Sequence, residues 1–269
     1  LSRWAKKIDP PSHLATFFNM LDTHDGIGLM GVKEILPEEE IEFISQTAKA
    51  RGGYISYKMR EDRTQEPYEI NITWWSAIND DNAGEDLTLQ VMRYIASRSI
   101  SLVLKGVPGI YVHGAIGTVN DHERVQETGV KRDVNRGVID ARKVDEDLRN
   151  PNSKISILRN RSSRINLIRT QNRAFHPRGR QKVFELSPHA FVALRTSPEG
   201  DDHVLTFTSV TGKELQLGIT LNALGVDERL WQDLIGDKHW EVVNSRLQVI
   251  LRPYDVAWLK PSKEVEGKG

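Results

Sequence analysis

TFFNMLDTHDGIG, residues 16–28, joins a short apolar and aromatic run to a stretch dense in polar and turn residues. Thr16–Leu21 reads as a buried strand whose C-terminal end opens into a loop over Asp22–Gly28. A helix follows. Pro37 sits near its first position, Glu38–Glu40 place negative charge at the positive end of its dipole, and Lys49 and Arg51 fall in its last turn. Gly52 and Gly53 end it, and Ile41, Ile44 and Ala48 mark one face at helical spacing.

Further along, Tyr54–Ser76 reads as irregular, with several polar aromatics. Glu85–Lys105 is the strongest helical pattern, with Leu87, Val91, Ile95 and Leu102 close to one stripe and Gly106 and Pro108 as the stop. Gly109–Val112 reads as a second buried strand and Gly114–Arg149 as a long polar loop, a length that is usually functional or disordered. Asn150 and Pro151 open a third helix that ends near His176-Pro177. From Gln181 the pattern changes to short apolar runs (VFEL, AFVALR, HVLTFT, ELQLGI, HWEVV, LQVIL, VAWL) between Gly, Asp, Pro and Asn, which reads as a small antiparallel β domain. Trp231, Trp240 and Trp258 are expected in its core. Strands alternating with helices ahead of that point indicate a parallel α/β layer.

The bulk numbers set limits. In 269 residues, 37 Lys and Arg balance 37 Asp and Glu, which gives no argument for a nucleic-acid or membrane partner. No cysteine is present, so disulfides and thiolate metal sites are excluded. No apolar run reaches the ~18 residues of a membrane span. No His or Glu spacing indicates a metal, and Gly26–Gly28 lacks the ending of a phosphate-binding loop. A cytoplasmic location is the expectation. The chain begins with Leu1 in what reads as the end of a helix, as though in the middle of something longer.

LDTHDGIG resembles a segment of glycoside hydrolase family 13, the α-amylase superfamily, in which the seventh strand of a β/α barrel ends in a His-Asp pair. The Gly-Ile-Gly that follows resembles the sucrose phosphorylase branch. Four further pieces agree in order: PYEINITWWSAI (Pro67–Ile78) is similar to that branch's acceptor loop, and GVPGIYVHGAIGT (Gly106–Thr118) to its eighth strand. ND, TG and RDVNR (Asn120–Arg136) resemble the long loop after that strand, and LRPYDVAWL (Leu251–Leu259) the end of the C-terminal β domain.

The resemblance implies a fold class of α/β: the last two strand-helix units of a (β/α)8 barrel in residues 1–178, then an antiparallel β domain in 179–269. A whole barrel takes about 250 residues, so the family's nucleophilic Asp and acid/base Glu would precede Leu1. The implied activity is retaining glucosyl transfer between an α-glucoside and inorganic phosphate, giving α-glucose 1-phosphate, with no organic cofactor and no metal, and a homodimer is the expectation. Asp25 matches the third carboxylate, which stabilises the oxocarbenium-like transition state, and His24 the imidazole that bonds the hydroxyls of the glucosyl ring. Tyr68, Glu69 and Asn71 match the acceptor loop. Arg132 and Arg136 match residues for phosphate or an anionic acceptor; a solvated pair, or a link to Asp133, is the plainer alternative. Asn120 and Asp121 are expected to shape their loop and His113 to line the pocket. Pro67-Tyr68-Glu69 departs from the sucrose-using members, where Asp would precede the Tyr and Gln follow it. In this respect the chain is closer to members acting on sucrose 6-phosphate, glucosylglycerate or glucosylglycerol.

Two other readings stay open: a hydrolase or transglycosidase of the same superfamily, and a non-catalytic carbohydrate-binding module. The isolated chain is expected to be inactive and poorly stable, because two barrel strands alone leave sheet edges and an apolar face uncovered.

Overall fold

A computed structural model describes residues 1–80 and 82–262. In chain order the elements are α1 (Ser2–Ala5), β1 (Phe18–Met20), β2 (Ile27–Gly28), α2 (Glu38–Ala50), β3 (Tyr54–Met59), β4 (Gln65–Asn71), α3 (Trp74–Ile78), α4 (Leu87–Val103), β5 (Val107–Gly109), α5 (Val112–Ile116), α6 (His122–Thr128), α7 (Ala141–Arg149) and α8 (Lys154–Gln171). Then come β6 (Arg180–Phe184), β7 (Ala190–Thr196), β8 (His203–Ser209), β9 (Leu215–Thr220), α9 (Leu221–Leu224), β10 (Leu230–Asp233), β11 (His239–Val243), β12 (Arg246–Leu251) and β13 (Val256–Ser262). Two compact units result. One holds Leu1–Asn19, Ile95–Pro108 and Arg161–Gly269; the other holds Met20–Tyr94 and Gly109–Asn160.

In the first unit, β6 to β13 form an eight-stranded sheet in the order β6-β7-β8-β13-β10-β11-β12-β9. The sequence pattern accounts for it strand by strand. On β12, Leu247, Val249 and Leu251 are buried while Arg246, Gln248 and Ile250 are exposed, the period-2 alternation of a half-buried strand. These inward residues join Phe184, Val192, Leu205, Phe207, Leu217, Trp231 and Leu259 in one core, so the sheet curls around its own apolar face. Seven strand-like runs were expected and eight strands form, because Leu230–Asp233 is too short and polar to stand out; its Trp231 is nonetheless wholly buried. Trp258 is buried too, and Trp240 packs against the core as expected. Two arginines in this unit donate to main-chain carbonyls. Arg195 donates to the carbonyls of Val103, Arg180 and His176, and burial pulls its guanidinium down to about 10. Arg169 donates to those of Leu102, Gly106 and Phe175. The Leu102 and Val103 carbonyls end α4, the negative end of its dipole, which suits a cation.

The strands β1 and β5 pair as a two-stranded sheet. Neither run is buried as expected: Phe18 is 68% exposed, and in Gly109–Val112 Ile110 is 47% and Val112 55% exposed, the strand lying earlier, at Val107–Gly109, and Val112 opening α5. An apolar strand is covered only where neighbours flank it, and among the described residues each of these two has one strand partner.

In the second unit, two expectations are corrected. Tyr54–Ser76 is not irregular: β3 and β4 form an antiparallel hairpin and β2 adds to the edge of β4. The alternation is hidden because much of β3 faces solvent and β4 carries Pro67. The register shifts between Ser56 and Tyr57, so that Tyr57 faces Pro67 and Ser56 faces Glu69, and the proline sits at this bulge. Nor is Gly114–Arg149 an unstructured loop. It is built from short helices held by their caps: Asp121 accepts from the Arg124 N–H at 2.8 Å to start α6, and Asp140 from the Arg142 N–H at 2.9 Å to start α7. Gly129, at φ +70°, closes α6 in the left-handed conformation. Likewise α8 starts at Lys154, not at Pro151, with Ser153 accepting from the Ser156 N–H at 3.1 Å, and it ends at Gln171.

Candidate functional site

All candidate site residues lie in the second unit. Past β1 the chain turns at Thr23, whose hydroxyl accepts the Asp25 N–H at 3.1 Å. It then pairs as β2 with β4, Gly28 opposite Glu69, which sets Gly26 against the Glu69 side chain. A Cβ on Gly26 would lie 2.4 Å from Glu69 Oε1 and 2.7 Å from Asn71 Oδ1, so only glycine fits. The close approach that this glycine permits is to the protein's own carboxylate. The Gly26 N–H donates to Glu69 Oε1 at 2.9 Å.

A 3-10 turn, Lys131–Asn135, brings the arginines. Lys131 donates to the Ile55 carbonyl at 2.8 Å, Val134 is fully buried, and Tyr111 donates to the Asn135 carbonyl at 3.2 Å. Held in this way, Arg132 reaches two carboxylates. Its Nε and Nη2 form a fork on Glu69 at 2.8 and 2.9 Å, and its Nη1 donates to Asp25 Oδ1 at 3.0 Å. Arg136 donates from Nε to the His24 carbonyl at 2.7 Å and from Nη2 to Asp25 Oδ1 at 3.4 Å; its Nη1 lies 3.5 Å from Asp133, the link foreseen as the plainer alternative. Asn135 donates to the Asp25 carbonyl at 3.1 Å.

The structure therefore gathers His24, Asp25, Glu69, Arg132 and Arg136 into one network, although they are spread over more than a hundred positions of sequence. Exposure separates them. The His24 and Asp25 side chains are 66% and 46% exposed, with His24 Nε2 3.5 Å from Asp25 Oδ2, whereas the Glu69 side chain is 5% exposed. Tyr68 is half-buried. Asn71 is fully buried and donates to Ser56 Oγ at 3.0 Å, inside the hairpin. The Glu69 and Asp25 carboxylates hold the Arg132 guanidinium above its ordinary range, the Glu69 hydrogen bonds contributing most.

Beside the network lies a cavity of about 240 Å³ whose lining includes Asp25, Trp74, Tyr111, His113 and Asn135. Burial pushes the Tyr111 phenol up and the His113 imidazole down, the latter partly offset by Asp22. Asn120 accepts the Thr73 N–H at 2.9 Å and donates to the Arg51 carbonyl at 3.0 Å, fixing its loop. Trp75 is buried against Tyr94, centroids 5.2 Å apart, as packing. Sequence reasoning missed Asn135, Tyr111 and Lys131; nothing in the spacing of the RDVNR segment and its flanks shows that these three hold the turn. Among the described residues no group of three or more His, Cys, Asp or Glu could hold a metal ion, and no helix is long and apolar enough to cross a membrane.

No protein-family model matches the sequence. Curated relatives do. A glucosylglycerate phosphorylase of Spirochaeta thermophila is 35% identical over 98% of this chain and 45% of its own length. One of Allomeiothermus silvanus is 31% identical over 96% of this chain and 43% of its own. A sucrose phosphorylase of Streptococcus mutans is 29% identical over 74% and 38%. The chain thus spans less than half the length of these relatives. Among solved structures, a sucrose 6F-phosphate phosphorylase from Thermoanaerobacter thermosaccharolyticum aligns with TM-score 0.57 at 23% identity, over 72% of this chain and 36% of that one. AmyP in complex with maltose aligns with TM-score 0.56 at 17% identity, over 96% and 43%. These likenesses bear on fold, and they agree with part of a β/α-barrel protein that carries a C-terminal β domain. In sequence this chain is similar, over nearly all of its length, to part of glucosylglycerate phosphorylases, and in fold to part of a sucrose 6F-phosphate phosphorylase.

Proposed function

We propose that this chain forms one wall of the donor site in a retaining glucoside phosphorylase, with glucosylglycerate as the preferred donor and inorganic phosphate as the incoming nucleophile. The observation that carries the reading is the Asp25 carboxylate, half-exposed, fixed by Arg132 and Arg136 and flanked by exposed His24. A group held in this way is preorganised: it can meet the positive charge that develops on the glucosyl ring without first moving into place. The relatives named glucosylglycerate phosphorylases cover nearly all of this chain, which supports glycerate over fructose as acceptor.

In the proposed reaction, a nucleophilic carboxylate takes the glucosyl carbon while an acid gives its proton to the departing glycerate oxygen. A phosphate oxygen then attacks the same carbon and frees the carboxylate. Both of those carboxyl groups are proposed to lie outside this chain. Of the chain's own residues, Asp25 and His24 would face the ring, Arg136 and Tyr68 would edge the acceptor and phosphate side, and Arg132 would complete the substrate-binding set, with the buried Glu69 and Asn71 of the acceptor loop supporting it from inside. Residues 179–262 fall within a single unit, which supports a β domain from residue 179; residues 263–269 lie outside the described residues. A cytoplasmic homodimer is proposed, and light scattering checks its size.

The test is a full-length polypeptide containing this sequence, incubated with phosphate and each candidate glucoside. α-Glucose 1-phosphate should accumulate fastest from glucosylglycerate. Release of free glucose alone would instead indicate a hydrolase. Asp25→Asn should cut turnover by at least ~100-fold, the scale for losing one preorganised electrostatic group. Robust phosphorolysis by the 269-residue chain alone would overturn the placement of nucleophile and acid outside it.

A further inference from the structure

We infer that Glu69 is a positioning residue. From beneath the surface it sets the Arg132 guanidinium and, through Arg132 and the Gly26 peptide, the Asp25 carboxylate; it does not contact the acceptor. The inference rests on the phosphorylase reading for its catalytic consequence but not for its geometry.

Three observations carry it. First, the Glu69 side chain is 5% exposed, and both its oxygens are engaged: Oε1 by Arg132 Nε and the Gly26 N–H, Oε2 by Arg132 Nη2. An acceptor sugar or acid has no open oxygen to meet. Second, the fork fixes the plane of the guanidinium, and the one nitrogen that it leaves over, Nη1, is the one that donates to Asp25. The guanidinium is thus bound twice by a buried group and once by a half-exposed one, so Glu69 is the anchor and Asp25 the group being placed. Third, the backbone is shaped around this contact, since only a glycine at 26 leaves room for the carboxylate.

A glutamine at 69 discriminates between the roles. It keeps one oxygen acceptor but turns an NH2 donor toward either an Arg132 donor or the Gly26 N–H, so the fork cannot survive intact. In the full-length polypeptide, the Arg132 Nε–H proton should exchange with solvent at least ~10-fold faster in Glu69→Gln than in the wild type, as expected when a charge-assisted hydrogen bond is lost. Hydrogen-bonded amides of the β3–β4 ladder should keep their rates. Asp25→Asn, which removes the group being placed, should change Arg132 exchange by less than ~3-fold.

In the full-length polypeptide, Glu69→Gln should lower kcat with the acceptor KM held within ~2-fold, whereas a residue touching the acceptor would raise KM at preserved kcat. Unchanged Arg132 exchange in Glu69→Gln, or an effect confined to KM, would overturn the inference. Should Glu69→Gln fail to fold, Glu69→Asp replaces it. It keeps the charge but is one methylene short, and it should give the same local loss in milder form; wild-type exchange in that variant would sink the assignment. If the full-length polypeptide shows no phosphorolysis at all, the parent reading falls, and the exchange measurements alone decide the positioning role.

Discussion

The eight-stranded sheet and the arginine network are held by different physics. The sheet encloses apolar side chains that each strand offers at every second position, and its strands are mostly sequential neighbours. The network joins polar side chains from the loop before β2, from β4, and from a 3-10 turn and the residue after it, with Asp25 and Arg132 separated by 107 positions. Apolar burial is non-directional and tolerant of small shifts. The network is directional, and the close approach at Gly26 leaves it no slack. The sheet should therefore dominate stability, and the network should dominate whatever chemistry the site performs.

The comparison breaks first at Trp231. It is wholly buried and donates from Nε1 to the Glu228 carbonyl at 3.0 Å. Trp231→Ala should cost about 3–5 kcal/mol in urea unfolding, the range for deleting a buried aromatic. A loss below about 1 kcal/mol would mean that the sheet's core does not carry the fold.

Next in size is Gly26→Ala. The new methyl would collide with Glu69 and Asn71, both buried, and overpacking of this kind costs about 1–3 kcal/mol. The same variant should loosen Arg132. A stable Gly26→Ala protein with an intact Arg132–Glu69 fork would show that the hairpin can yield and that the network has slack.

A third test uses pH on another part of the hairpin. Glu66 is buried and accepts from Lys33, Arg60 at 2.8 Å and Lys58 at 3.1 Å, and these cations hold its carboxyl at about 2, below its ordinary 4.5. Because the folded value lies below the unfolded one, the stabilisation is complete above about pH 4.5 and is lost as pH falls toward 2. The Glu66 carboxyl carbon, followed by NMR, should titrate near the lower value. A midpoint above 4 would show that the three cations do not act on it together.

The smallest expected effect is the stability of Asp25→Asn. The ion pairs it removes are partly exposed, so unfolding should change by about 0–1 kcal/mol. A loss beyond about 2 kcal/mol would make Asp25 a structural residue and blur the division between the two regions.

Legibility follows the same division. The β domain could be read because alternation on a strand such as Leu247–Leu251 is local; only Leu230–Asp233 was too short to show. The THDG segment and RDVNR stood out as motifs, but not the reason for Gly26, nor the support from Asn135, Tyr111 and Lys131. The helices between Val112 and Arg149 escaped because their caps, not an apolar stripe, define them.

By itself the sequence determined the strand periodicity of the β domain and the types of side chain available, since each depends on near neighbours along the chain. Only the tertiary structure decided that Glu69 lies buried under Arg132, and that Arg132 and Arg136 close on Asp25. Pairing of charges across 107 positions depends on which strand lies beside which and in what register, and that is a property of the folded chain.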